Sequence, residues 1–206
     1  MRSAKATLIW AALAVAIGVP IALATTSDLL AYRGPVYIAA GFAGMIALGL
    51  VLVQPLLIAG HLPGLAALRG RRVHHWVGGA LVVLLVIHVG GLWITSPPDM
   101  IDALILTSPT PFSLWGVIAM WAIFAVALLA VFRRRLRPRT WRIVHLSLAA
   151  IIVTGAVAHA MLVEGTMEMV SKAALCALVL AAAIKVIADR VWRKRAPSRG
   201  ESTAPQ

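Results

Sequence analysis

Four histidines, His74, His88, His145 and His159, lie inside strongly apolar stretches of the 206-residue sequence, two to a stretch and 14 residues apart in each. Ionisable side chains in such segments are costly and point to function. Fourteen residues advance a helix by about 21 Å and bring it back to within about 40° of its starting direction. Each pair therefore shares one face while its members approach opposite ends. Facing imidazoles from two such helices create two stacked sites, each presenting a neutral ring nitrogen from either side, which suits axial ligation of a haem iron. Zinc normally takes a third or fourth protein ligand, and none is near in the sequence. The plainer alternative is four polar residues hydrogen-bonding within a helical bundle.

The elements that position them follow from composition. The chain is 61% hydrophobic and 13% charged, with a mean hydropathy of +0.93, whereas about a quarter of an ordinary soluble domain is charged. Apolar stretches close to the length that crosses a bilayer as a helix fall at roughly 6–25, 36–59, 73–95, 112–132, 141–163 and 169–188. In lipid each must satisfy its own backbone, so the expected fold is all-α, an integral membrane bundle of six transmembrane helices. The third and fifth spans run in the same direction, so like members of the two histidine pairs meet. Depth agrees: His74 follows Arg72 by two positions and His145 follows Arg142 by three. The expected sites are His74 with His145, and His88 with His159.

Charge orients the bundle. The net charge is +12, and its arginines cluster at the start, at 69–72, at 133–142 and after 185, while Asp28, Asp99, Asp102, Glu164 and Glu168 face the other side with Arg33 and Lys172. The positive-inside rule places both termini in the cytoplasm, as expected of a multi-pass protein of the plasma (inner) membrane. The basic residues form short clusters between apolar spans, a pattern that excludes a nucleic-acid face and leaves lipid as the surrounding partner. Met1 to Thr25 could pass for a signal peptide, but its apolar run is longer than a signal core of roughly 7 to 15 residues, so a retained helix is expected. Cys176 is the single cysteine, which rules out an internal disulfide or a cysteine cluster. One unit over 1–195 is expected, followed by a disordered cytoplasmic tail over 196–206. Neither a glycine-rich nucleotide fingerprint nor a long internal repeat is evident.

The run Arg71-Arg72-Val73-His74-His75-Trp76-Val77-Gly78, with His88-Val89-Gly90-Gly91, Trp141-Arg142-Ile143-Val144-His145 and His159-Ala160-Met161-Leu162, resembles the ferric reductase-like transmembrane domain of ferric reductases and NADPH oxidases. The resemblance implies six helices whose third and fifth carry paired histidines for two b-type haems. It also favours His74, four before Gly78, over His75 as the inner ligand. The fifth span is further similar to the haem-binding membrane subunit of the periplasmic methionine sulfoxide reductase system. Full-length ferric reductases and NADPH oxidases carry a flavin and NAD(P)H domain after the last helix, which has no counterpart in this sequence. The implied protein is thus an electron-transfer subunit of an oxidoreductase rather than a self-contained enzyme. Its electrons come from a separate flavoprotein reductase or from quinol, so that flavin or quinone enters through a partner. They leave to a ferric chelate, dioxygen or a periplasmic redox protein. Competing readings are a quinol-linked di-haem cytochrome b anchor and, from another class, a cofactor-free transporter or structural membrane protein.

Other residues carry expectations of their own. Gly78, Gly91 and Gly155 each stand one turn from a candidate ligand, either to admit a porphyrin face or to pack helices. Arg69, Arg71, Arg72, Arg139 and Arg142 suit haem propionates or a docking donor, although topology alone also accounts for them. His75 points about 100° away from its neighbour, towards lipid phosphates, and His61 reads as an ordinary loop residue. Trp10, Trp93, Trp115, Trp141 and Trp192 fit an aromatic belt. Trp121 is deep, for packing or as an electron relay. The outward loop 96–111 holds a short apolar stretch expected to lie over the outer site and to help form the acceptor's site.

Overall fold

In the computed structural model, which describes residues 2–65 and 67–195, all regular structure is helical. The order is α1 (Arg2–Ala24), a 3-10 turn (Asp28–Leu30), α2 (Pro35–Ala59), α3 (Ala67–Thr95), α4 (Pro97–Leu104), α5 (Pro111–Val131), a 3-10 turn (Arg133–Arg135), α6 (Pro138–Leu162) and α7 (Met169–Arg195). Among these, six are long and apolar enough to cross a membrane: α1, α2, α3, α5, α6 and α7. The tail expected over 196–206 lies outside the described residues.

Local sequence sets the helix ends. Proline occupies the first turn of α2, α4, α5 and α6, where its fixed φ suits the helix and its missing N–H costs nothing. Gly60 ends α2 at φ 72°, its N–H bonding back to the Leu56 and Leu57 carbonyls, a left-handed cap that glycine adopts without Cβ strain. At α7 the exposed Glu168 carboxylate accepts from the Val170 and Ser171 amides, both at 2.7 Å. These two N–H bonds hold its acidity stronger than that of an ordinary carboxyl.

Two antiparallel hairpins, α2–α3 and α5–α6, form the framework. In the first, a Cβ added to Gly91 would lie 2.7 Å from the Ala40 Cβ. In the second, one added to Gly155 would lie 3.1 Å from the Ala119 Cβ and from the Trp115 carbonyl. These two glycines therefore let helices touch, and the helix-packing alternative holds for both. Helix α7 packs against α1, α2 and α6, and its Leu175 and Val179 are the largest fully buried side chains. They join Leu48, Val51, Leu52 and Leu81 in the main core, with Leu13, Ala16 and Ile17 of α1 packed alongside.

Several expectations change. Helix α3 begins at Ala67, six residues before the apolar span, because the arginine-rich start contains no proline and its arginines are good helix formers. Lys172 is more buried than a charge between spans suggests. It is 4% exposed, and its Nζ donates to the Val163 carbonyl at 2.8 Å, just past the end of α6. The outward loop contains α4, whose buried Ala103 packs on Val117 and Met120 of α5 with Leu85 and Val89 of α3 alongside. Trp121 is 59% exposed and in edge contact with Phe124. It therefore fills no core within the chain.

Candidate functional site

Helices α3 and α6 bring the four histidines together as two pairs. The ring centres of His74 and His145 are 6.2 Å apart and those of His88 and His159 are 6.4 Å apart, with planes crossed at 66° and 80°. Two imidazoles on opposite sides of one metal ion put their ring centres roughly 6 Å apart, twice the sum of a metal–nitrogen bond of about 2 Å and about 1 Å from nitrogen to ring centre. Both separations fit that requirement. No group of three His, Cys, Asp or Glu residues able to hold a metal occurs among the described residues. An ion held at either pair would have two protein donors, so the rest of its coordination must come from a ligand that brings its own. A porphyrin would bring four nitrogen donors of its own.

The outer pair is fastened by the backbone. His88 Nδ1–H donates to the Ala40 carbonyl on α2 at 2.8 Å, and His159 Nδ1–H donates to the Phe112 carbonyl on α5 at 2.8 Å. Each acceptor already closes its own helix turn. The bond fixes the ring and leaves Nε2 as the free, basic nitrogen of a metal ligand.

Such approach to a helix backbone demands that the residue four positions on lack a side chain, and in both places it does. A Cβ on Gly44 would lie 2.8 Å from His88 Nδ1, and one on Gly116 would lie 2.6 Å from His159 Nδ1. Sequence reasoning missed both glycines and chose Gly78, Gly91 and Gly155 instead. The signal was present. Gly44 and Gly116, His74 and His145, and His88 and His159 recur at a nearly constant interval, so the two hairpins repeat one arrangement that was not evident as a sequence repeat.

The inner pair is held differently. His74 lies against the Gln54 backbone, but the contact falls short of hydrogen-bond geometry, and His74 Nδ1 is buried without a bonded partner. Gly78 opens space towards the Gln54 side chain, whose Nε2 would be 3.3 Å from an added Cβ. His145 is stacked by Trp141, one turn earlier on α6, with ring centres 5.1 Å apart and planes 23° apart. The Arg133 guanidinium sits over Trp141, 5.6 Å from the ring centre. Of the adjacent candidates, His74 is turned towards α6 and His75 is exposed. His61 is more than a loop residue, since its Nε2 lies 3.4 Å from an Asp189 carboxylate oxygen that Lys185 also reaches at 3.2 Å.

Six membrane-length helices with paired histidines at two depths between α3 and α6 define a polytopic membrane protein built around those pairs. The family model described as ferric reductase like transmembrane component matches residues 40–156, more than half of the chain, and the chain belongs to that family. The match spans His74, His88, His145, Gly44 and Gly116 and stops three residues before His159. No curated protein and no solved structure matches the chain.

Proposed function

We propose that the protein is a transmembrane b-type cytochrome, with one haem held by His74 and His145 and a second by His88 and His159. It would carry electrons from a cytoplasmic or quinol donor to an acceptor on the outer side. The observation that carries this reading is the double pairing: two imidazole pairs at a separation suited to one iron each, with Nδ1 of both outer rings taken up by backbone carbonyls. The haems supply reversible one-electron chemistry when bound.

The residues determine what kind of chemistry that is. With a histidine from each helix, His74 and His145 would hold one haem and His88 and His159 the other, and haems so held would supply one-electron transfer rather than activation of a bound molecule. Ala40 and Phe112 hold the outer rings in one tautomer, while Gly44 and Gly116 admit them. The sites are about 21 Å apart along the helices, and the stretches of α3 and α6 between them are predominantly apolar. With the arginine-rich end in the cytoplasm, the inner pair is the entry and the outer pair the exit. The protein then belongs in a plasma membrane with a reductase or quinol on one side. A ferric chelate, dioxygen or a redox protein would be the acceptor on the other.

Purified protein should show a Soret band that sharpens on reduction together with a narrow α band. A colourless preparation from haem-replete cells would overturn the proposal in favour of a cofactor-free membrane protein.

A further inference from the structure

The arginine-rich corner where α5 turns into α6 does more than orient the bundle. Arg133, Arg134, Arg135, Arg137, Arg139 and Arg142 are all exposed. Among the described residues none of them forms an ion pair, since both ion pairs there involve Asp189. This concentration of unneutralised guanidinium groups surrounds Trp141. Tryptophans that serve a lipid boundary present their rings outward, as Trp76 and Trp192 do at the same end with 76% and 75% exposure. Trp141 instead is half-buried, stacked on His145 and covered by Arg133. It continues the aromatic system of an inner histidine into the charged surface.

We infer that this corner is a docking surface for a soluble, acidic one-electron donor protein, with Trp141 as the contact through which the donor's redox centre comes close to His145. The inference rests on the proposed function for its direction of flow but makes a separate claim about binding. Charge complementarity favours an acidic protein: the arginines would steer it and set its orientation, and the planar guanidinium groups suit carboxylates. In transfer, the donor's reduced centre loses one electron and the inner site gains it, and no bond is made or broken.

The test is binding of an oxidised acidic flavodoxin to the full-length protein in nanodiscs of fixed lipid composition, with basic cytochrome c as the opposite-charge probe. Flavodoxin should bind, losing about tenfold in affinity between low and high salt, and should lose about tenfold again in Arg133→Gln/Arg134→Gln/Arg135→Gln. Trp141→Ala should weaken it further, and cytochrome c should not bind. Salt-independent flavodoxin binding by the wild type, which requires no variant to fold, would overturn the inference. So would equal affinity in the triple variant with an unchanged unfolding temperature. If that variant keeps its affinity for the probe but loses its preference for anionic lipid, the arginines serve headgroups and the inference fails. Binding is read without haem, so a protein that binds flavodoxin but has no Soret band would refute the proposed function alone. One with both haems and no charge-dependent binding would refute only the docking surface.

Discussion

The two histidine pairs differ in what holds them. At the outer pair both rings are bonded to carbonyls of neighbouring helices, through windows that Gly44 and Gly116 leave open. At the inner pair His74 Nδ1 has no bonded partner, and His145 is held by a tryptophan stack that leads to the surface. A ligand bonded to a helix carbonyl moves only if the hairpin moves, whereas His74, lying against the Gln54 backbone without such a bond, is held less firmly. The difference makes the outer pair a site of fixed geometry and the inner pair one with more freedom.

The largest effects should come from the ligands. His159→Ala should abolish the outer site and leave the inner spectrum in place; loss of all haem would mean the pairs do not act separately. Next, Gly44→Ala or Gly116→Ala forces a methyl to within 3 Å of a bonded imidazole nitrogen, an overpacking that costs about 1–3 kcal/mol. Either substitution should weaken the carbonyl bond, make the ligand less basic and raise the outer potential, on the order of 40 mV for each kcal/mol by which the oxidised state is destabilised more than the reduced one. The inner potential should not move, and a redox titration that resolves the two components decides the matter. Equal shifts at both sites would remove the distinction drawn between them.

A smaller effect is expected at Lys172. Lys172→Met keeps the bulk but leaves the Val163 carbonyl without its donor, at a cost of about 1–3 kcal/mol. Thermal unfolding should begin earlier, and the outer site should be the first to lose its spectrum.

The smallest effect concerns Glu168. Its carboxyl is held below its ordinary value of 4.5 by the Val170 and Ser171 amides. The capping contribution is therefore fully present above that value and is lost as pH falls through the folded pKa. Hydrogen exchange at the amides of Val170 and Ser171 should quicken only in that acidic range. In Glu168→Gln it should already be fast at neutral pH and lack the transition.

Much of this was legible in the residues. Hydropathy located the six spans because lipid permits few other uses for such stretches, and the 14-residue spacing placed His74 with His145 and His88 with His159. The features that were not legible depend on contacts between helices. Gly44 and Gly116 matter only because His88 and His159 approach them from another helix, and along one strand of sequence they resemble any packing glycine. Gly91 and Gly155 had the same appearance and serve hairpin packing. The burial of Lys172 was not legible because a sequence gives depth only approximately, while the end of α6 supplies the carbonyl that permits it. Trp141 stands four residues before His145, a spacing that stacks two rings on one helix face, yet its position near a span end suggested only an aromatic belt.

The most direct measurement is haem content per chain in the wild type, His74→Ala and His88→Ala, purified side by side. The account predicts about two haems in the wild type and about one in each variant, with different spectra remaining in the two variants. The same haem content in all three proteins, or none in the wild type, would contradict it.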